Sequence, residues 1–120
     1  MKDRDSMILE KIQSYCKEIA ETHEYFQNDK TLFYDQNSGF VYRNSITMPI
    51  LQIGELAKNL SDEFRQEHDN IQWKSIAGMR DIFAHHYGFI DYDMVWSTSR
   101  DDIEELNSFC NDVLGQMHNK

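Results

Sequence analysis

A chain of 120 residues suffices for one hydrophobic core and is too short for two of ordinary size, while 40% hydrophobic content with seven Phe, six Tyr and two Trp argues against native disorder. A formal charge of −9 and a pI near 4.8 work against generic nucleic-acid affinity, which depends on phosphate neutralisation by Lys and Arg. Nucleic-acid chemistry on this chain therefore needs its few cations gathered at one cleft, and the acidic surface equally suits a basic protein partner.

From Ile8 to Phe26 the apolar positions Ile8, Ile12, Tyr15, Cys16, Ile19 and Phe26 recur at spacings of three, four and seven, which predicts a first amphipathic helix. The turn formers between Gln27 and Gly39 interrupt that period, leaving room for one helical turn around Leu32 to Tyr34. A second helix is expected over Phe40 to Leu60, with Ile46, Ile50, Ile53, Ala57 and Leu60 on one face and Met48, Leu51 and Leu56 widening it. Pro49 predicts a kink or a helix start, and Gly54 a close contact with another helix. Glu55 beside it reads as a solvated or core-bound acid, with a buried, hydrogen-bonded structural carboxylate favoured over a catalytic one.

Ser61 is placed to cap a short helix from Asp62 to His68. Trp73, Ile76, Ala77 and Phe83 then define a helix ending at His85 or His86, ahead of Gly88. After Asp91 comes a stretch with Val95 and Trp96, and Thr98 or Ser99 offers a cap for a last helix whose seam is Ile103, Leu106, Cys110, Val113 and Met117. Trp73 and Trp96 read as core. With one Pro and five Gly in all, the expectation is an all-α, up-and-down antiparallel bundle of four main helices plus short helical segments, one domain over 1–120.

No run approaches the roughly 20 apolar residues of a membrane span, and the mixed charges of Met1 to Asp5 do not introduce a signal peptide. Cys16 and Cys110 make neither a C-x-x-C pair nor a disulfide framework. A cytoplasmic protein with reduced thiols is expected. His23, His68, His85, His86 and His118 lack metal-ligand spacing, so neither a metal nor another cofactor is expected.

The run Arg80-Asp81-Ile82-Phe83-Ala84-His85-His86-Tyr87 carries the candidate chemistry. On an ideal helix position 87 returns to within about 20° of position 80, whereas position 85 stands about 140° away. Arg80 and His85 therefore converge only if the helix loosens near Ala84 or if a second chain supplies one of them. Metal-free RNA cleavage needs a base for the 2′-hydroxyl, an acid for the departing 5′-oxygen and a cation for the charged phosphorane. Histidine and arginine supply those functions, and a 2′,3′-cyclic phosphate is the expected product end.

The pattern of Arg80, His85 and Tyr87 resembles the R-x4-H-x-Y signature of HEPN ribonucleases of the HepT kind. The resemblance extends to Ile53-Gly54-Glu55-Leu56-Ala57, to Ile71-Gln72-Trp73, and to Asp91 with Val95-Trp96. It implies a homodimer whose motif helices share an RNA-cleaving cleft, with Arg80 and His85 as the catalytic pair. It implies also a minimal nucleotidyltransferase antitoxin as partner, which silences such toxins by AMPylation of the motif tyrosine, here Tyr87. Asp81 stands where the family commonly has a neutral residue, and His86 beside His85 offers a second imidazole for the same role. Two other readings stay open: a catalytically inactive accessory subunit of that nucleotidyltransferase, and a purely structural helical dimer.

Overall fold

A computed structural model of the chain describes residues 3–85 and 90–118, with side chains over 3–80 and 90–117. The described residues form helices and turns without a strand: α1 (Asp3–Tyr25), α2 (Lys30–Tyr34), α3 (Phe40–Lys58), α4 (Asp62–Glu67), α5 (Trp73–His85), α6 (Tyr92–Ser97), a π-helical turn (Thr98–Asp102) and α7 (Ile103–His118). The expected all-α bundle is the observed fold.

Helix α1 turns Ile8, Leu9, Ile12, Cys16 and Ile19 inward, the three-and-four spacing that defines an apolar stripe. It begins earlier than its apolar period because Asp3 and Asp5 favour the positive end of the helix dipole. Asp5 is buried and accepts from the Ser61 backbone N–H at 2.8 Å and from Ser61 Oγ at 2.6 Å. Ser61 Oγ in turn accepts from Phe64 N, so the expected N-cap of α4 is present and is anchored to α1.

Gln27 and Asn28 reverse the chain with φ of 58° and 54°, and Asp29 caps α2 by accepting from Leu32 N. At the start of α3, a Cβ on Gly39 would lie 2.3 Å from the carbonyl oxygen of Leu32, so only glycine fits there. Helix α3 then runs without a break through the buried Pro49, and no new helix starts there as the sequence had allowed.

Helix α3 is central: it packs on α1 along one side and on α5 along the other, while α7 covers the far side of α1. Helix α5 packs principally on α3 and so forms an edge of the molecule. One core runs from Ile8 to Leu114, with two aromatic clusters, one around Phe33, Tyr42 and Trp96 and one around Phe64, Trp73 and Phe109.

Three expectations near the C-terminal end are corrected. Neither Thr98 nor Ser99 caps a helix, because both are buried in the π-turn that carries α6 continuously into α7. Ser99 Oγ donates instead to Trp96 O at 2.8 Å. The buried seam of α7 is Ile103, Leu106, Cys110 and Leu114; Val113 is half-buried and Met117 exposed. Trp73 is core as expected, whereas Trp96 is only half-buried. Cys16 and Cys110 are both free buried thiols, pushed up to about 12 chiefly by burial.

Candidate functional site

Arg80 sits where α5 crosses α3 in tight contact. Glycine 54 permits that crossing, since a Cβ there would stand 2.9 Å from Arg80 Cβ and 3.0 Å from the Ile76 carbonyl oxygen. The close helix contact expected at Gly54 is therefore present, and its counterpart is the motif arginine. We expect Gly54→Val to lower stability by about 2 kcal/mol through overpacking against the α5 backbone. Gly54→Ala should cost less, because alanine recovers about 1 kcal/mol of helix propensity. Thermal melts of the two variants check this, and a native melting temperature for the valine variant would remove the tight crossing.

One residue further along α3, Glu55 Oε2 accepts from Arg80 Nε at 2.9 Å. The side chains are 42% exposed for Arg80 and 50% for Glu55, so the expected burial of Glu55 is corrected: it is a surface carboxylate joined to the motif arginine. The reason is register. Residues 46, 50, 53 and 57 point into the core, which leaves position 55 on the outer face where α5 passes. An exposed pair of this kind contributes about 0–1 kcal/mol, too little to be a main support of the fold.

Val41, Met48 and Glu55 follow at seven-residue intervals and drift only about 20° per step, so they share one stripe of α3. Val41 and Met48 are exposed large hydrophobics, and Leu51 beside the stripe is half-buried. An apolar strip thus leads along the surface to the Arg80–Glu55 pair.

The flanks of α5 differ in chemistry. An open groove of about 830 Å³ is lined by Lys58, Arg65 and Lys74 with Asp62 and Asp69, and reaches Ala77 and Gly78 on α5. With Arg80 these three are the cations of the chain between Arg43 and Arg100. A cavity of about 520 Å³ lies between α5, α6 and α7, lined by apolar residues including Ile76, Met79 and Leu106 and by the acids Asp102 and Glu105. In the groove Arg65 is ion-paired with Asp62 at 2.5 Å, so the three cations are largely offset by two carboxylates, whereas the second cavity carries acids with no cation among its described lining residues and repels a phosphate.

Helix α5 stays α-helical through His85, so among the described residues the loosening allowed near Ala84 is absent. Position 85 accordingly stands about 140° around the axis from position 80. The side chains of Asp81 and His85, and all of His86 and Tyr87, lie outside the described residues. Among the described residues no group of three His, Cys, Asp or Glu gathers to hold a metal ion, and no helix is long and apolar enough to cross a membrane.

A polar network that periodicity did not reveal lies in the core. His23 is 3% exposed, with Nδ1 2.6 Å from Tyr42 Oη and Nε2 2.8 Å from Ser99 Oγ. The Ser99 proton goes to Trp96 O, so Ser99 Oγ accepts from His23 Nε2–H and the Tyr42 hydroxyl donates to Nδ1. His23 occupies an apolar-face position of α1, and nothing in the local sequence marks partners this far along the chain.

Comparison with known proteins agrees with these features. Residues 8–113 match the profile of the family described as ribonuclease HepT-like. A protein of Caldanaerobacter subterraneus subsp. tengcongensis provisionally named an RNase is 44% identical over 62 residues, 52% of this chain and 55% of that protein. A similarly named protein of Methanocaldococcus jannaschii is 34% identical over 71 residues, 56% of this chain and 59% of its own length. The chain thus spans little more than half the length of these two relatives. The Thermococcus cleftensis protein named "Probable ribonuclease HepT" is 29% identical over 98 residues, 82% of this chain and 78% of that protein. No solved structure matches at a significant level. A family match over 8–113, on an all-α bundle whose central helix crosses the motif helix at its arginine, establishes that this chain belongs to the HepT-like ribonuclease family of the HEPN superfamily.

Proposed function

We propose that the chain, as one domain over residues 1–120, is a metal-independent endoribonuclease toxin acting as a homodimer in the cytoplasm. The observation that carries this reading is the placement of Arg80, half-exposed on an edge helix that also bears His85. In the reaction, the His85 imidazole removes the proton of a ribose 2′-hydroxyl, and the 2′-oxygen attacks phosphorus. Arg80 stabilises the charged phosphorane, the bond from phosphorus to the 5′-oxygen breaks, and an imidazolium protonates that oxygen. The ends are a 2′,3′-cyclic phosphate and a 5′-hydroxyl.

The angular separation of positions 80 and 85 on an unbroken helix favours a cleft shared by two copies. The apolar strip of Val41 and Met48 that leads to Arg80 is suited to the contact between them. Lys58, Arg65 and Lys74 lessen the difficulty posed by the net charge, because they gather in one groove along α5, although Asp62 and Asp69 share it and Asp62 pairs with Arg65. Tyr87 is the proposed AMPylation site for a nucleotidyltransferase antitoxin, since an anionic adduct near the arginine excludes an RNA phosphate. His86 and Asp81 are auxiliary candidates.

A second reading, a catalytically inactive accessory subunit that binds a minimal nucleotidyltransferase, is favoured by the charge of −9. Incubation with RNA in EDTA separates the two. Cleavage to cyclic-phosphate ends that His85→Ala lowers by about 10²-fold or more supports the nuclease. Intact RNA with AMP transferred to Tyr87 supports the accessory subunit, and neither result leaves a structural dimer.

A further inference from the structure

We infer that Glu55 is a positioning residue for Arg80, holding the guanidinium by its Nε edge so that an RNA phosphate meets it in one orientation. The inference rests on the nuclease reading for its purpose, and on the α3–α5 geometry for its substance.

The geometry begins with the backbone. Gly54 brings the stem of Arg80 against α3, so the origin of the arginine side chain is set to within the tolerance of a helix–helix contact. What remains adjustable is the long side chain beyond Cβ. Glu55, the next residue on the same rigid helix, takes up that freedom through the 2.9 Å bond from Arg80 Nε. A guanidinium is planar and its five N–H donors form a fixed fork, so one carboxylate on Nε defines the plane of the whole group. Orientation matters because a bidentate grip on two phosphate oxygens is directional, whereas a point charge is not.

Stability does not account for the pair, as both side chains are about half exposed. RNA affinity does not account for it either, because a carboxylate beside the motif arginine repels phosphate. A group that weakens ground-state binding and fixes a catalytic cation acts on turnover. That contrast gives a signature: removal of Glu55 should leave RNA binding unchanged or tighter while slowing cleavage.

The test uses the full chain labelled with nitrogen-15. It reads the Arg80 Nε–H resonance, the Kd for a 2′-O-methyl RNA oligonucleotide that cannot be cleaved, and kcat on RNA in EDTA. Glu55→Ala is expected to melt like the native protein, to lose or broaden the Nε–H signal through faster solvent exchange, and to lower kcat by about tenfold. Its Kd should be equal to or lower than the native value. Glu55→Gln keeps an acceptor oxygen at the same reach, so it should retain the signal and most of kcat.

An unchanged Nε–H signal in Glu55→Ala overturns the inference. So does a changed signal with native kcat, or a rise in kcat in both variants, which would make Glu55 a competitor of phosphate. If the native protein cleaves no RNA, the resonance decides alone: a signal lost with alanine and kept with glutamine retains the hold of Glu55 on Arg80 and overturns only the nuclease reading.

Discussion

Arg80→Ala is expected to lower RNA cleavage in EDTA by roughly 10²–10³-fold, the usual cost of removing one preorganised donor aimed at developing charge. The loss should not come from unfolding. Alanine keeps the Cβ that faces Gly54, and the ion pair with Glu55 that it gives up is half-exposed and worth about 0–1 kcal/mol. Arg80→Lys should recover only part of the rate, since an ammonium keeps the charge and loses the planar fork.

Mixing Arg80→Ala with His85→Ala tests the shared cleft directly. If each cleft takes its arginine from one copy and its histidine from the other, random reassortment makes half the dimers mixed, with one intact cleft of two. About a quarter of the native activity should then return. No recovery after subunit exchange would confine both groups to one copy and require a helix conformation other than the unbroken α5. Native activity in Arg80→Ala would remove the proposed chemistry altogether.

The second large effect concerns stability against pH. Burial, helped by the nearby Arg100 charge, holds the His23 imidazole well below its ordinary 6.5, at about 4. The folded pKa is therefore depressed relative to the unfolded chain, and the fold favours the neutral ring. Its contribution is complete above about pH 6.5, declines as pH falls through the window from 6.5 to about 4, and levels off below that. Protonation at Nδ1 turns the acceptor of the Tyr42 hydroxyl into a donor, in a site where Tyr42 is fully buried.

A displacement of this size is worth on the order of 3 kcal/mol, a large part of the roughly 5–15 kcal/mol that stabilises a domain. Chemical denaturation at steps between pH 7.5 and 4 should show the native protein losing about that amount. His23→Gln should start lower at pH 7.5, for want of the matched network, and lose less on acidification. Parallel losses in the two proteins would assign the acid sensitivity to carboxylates and clear His23 of the role.

Much of the bundle was legible from one residue to the next. The apolar stripe of α1, the Ser61 cap of α4 and the start of α5 at Trp73 all follow from local rules, because helix periodicity and capping act within a few residues. The last helix shows where such rules stop. Thr98 and Ser99 have the chemistry of caps, yet a buried histidine on α1 offers Ser99 a partner and the chain passes through a π-turn instead. Glu55 is a different case: the face of Ile46, Ile50, Ile53 and Ala57 already placed position 55 outside the core, and what no local rule carried is that α5 brings Arg80 to it.

By itself the sequence determined the helical class, the motif from Arg80 to Tyr87 and the family it resembles, all encoded in short-range spacing and side-chain chemistry. Tertiary structure alone decided that Glu55 meets Arg80 across Gly54, that Lys58, Arg65 and Lys74 line one groove, and that His23 closes a network between Tyr42 and Ser99. The physical reason is the same in each case. These contacts join residues far apart along the chain, and which helix faces meet is settled by packing the whole core rather than by any local preference.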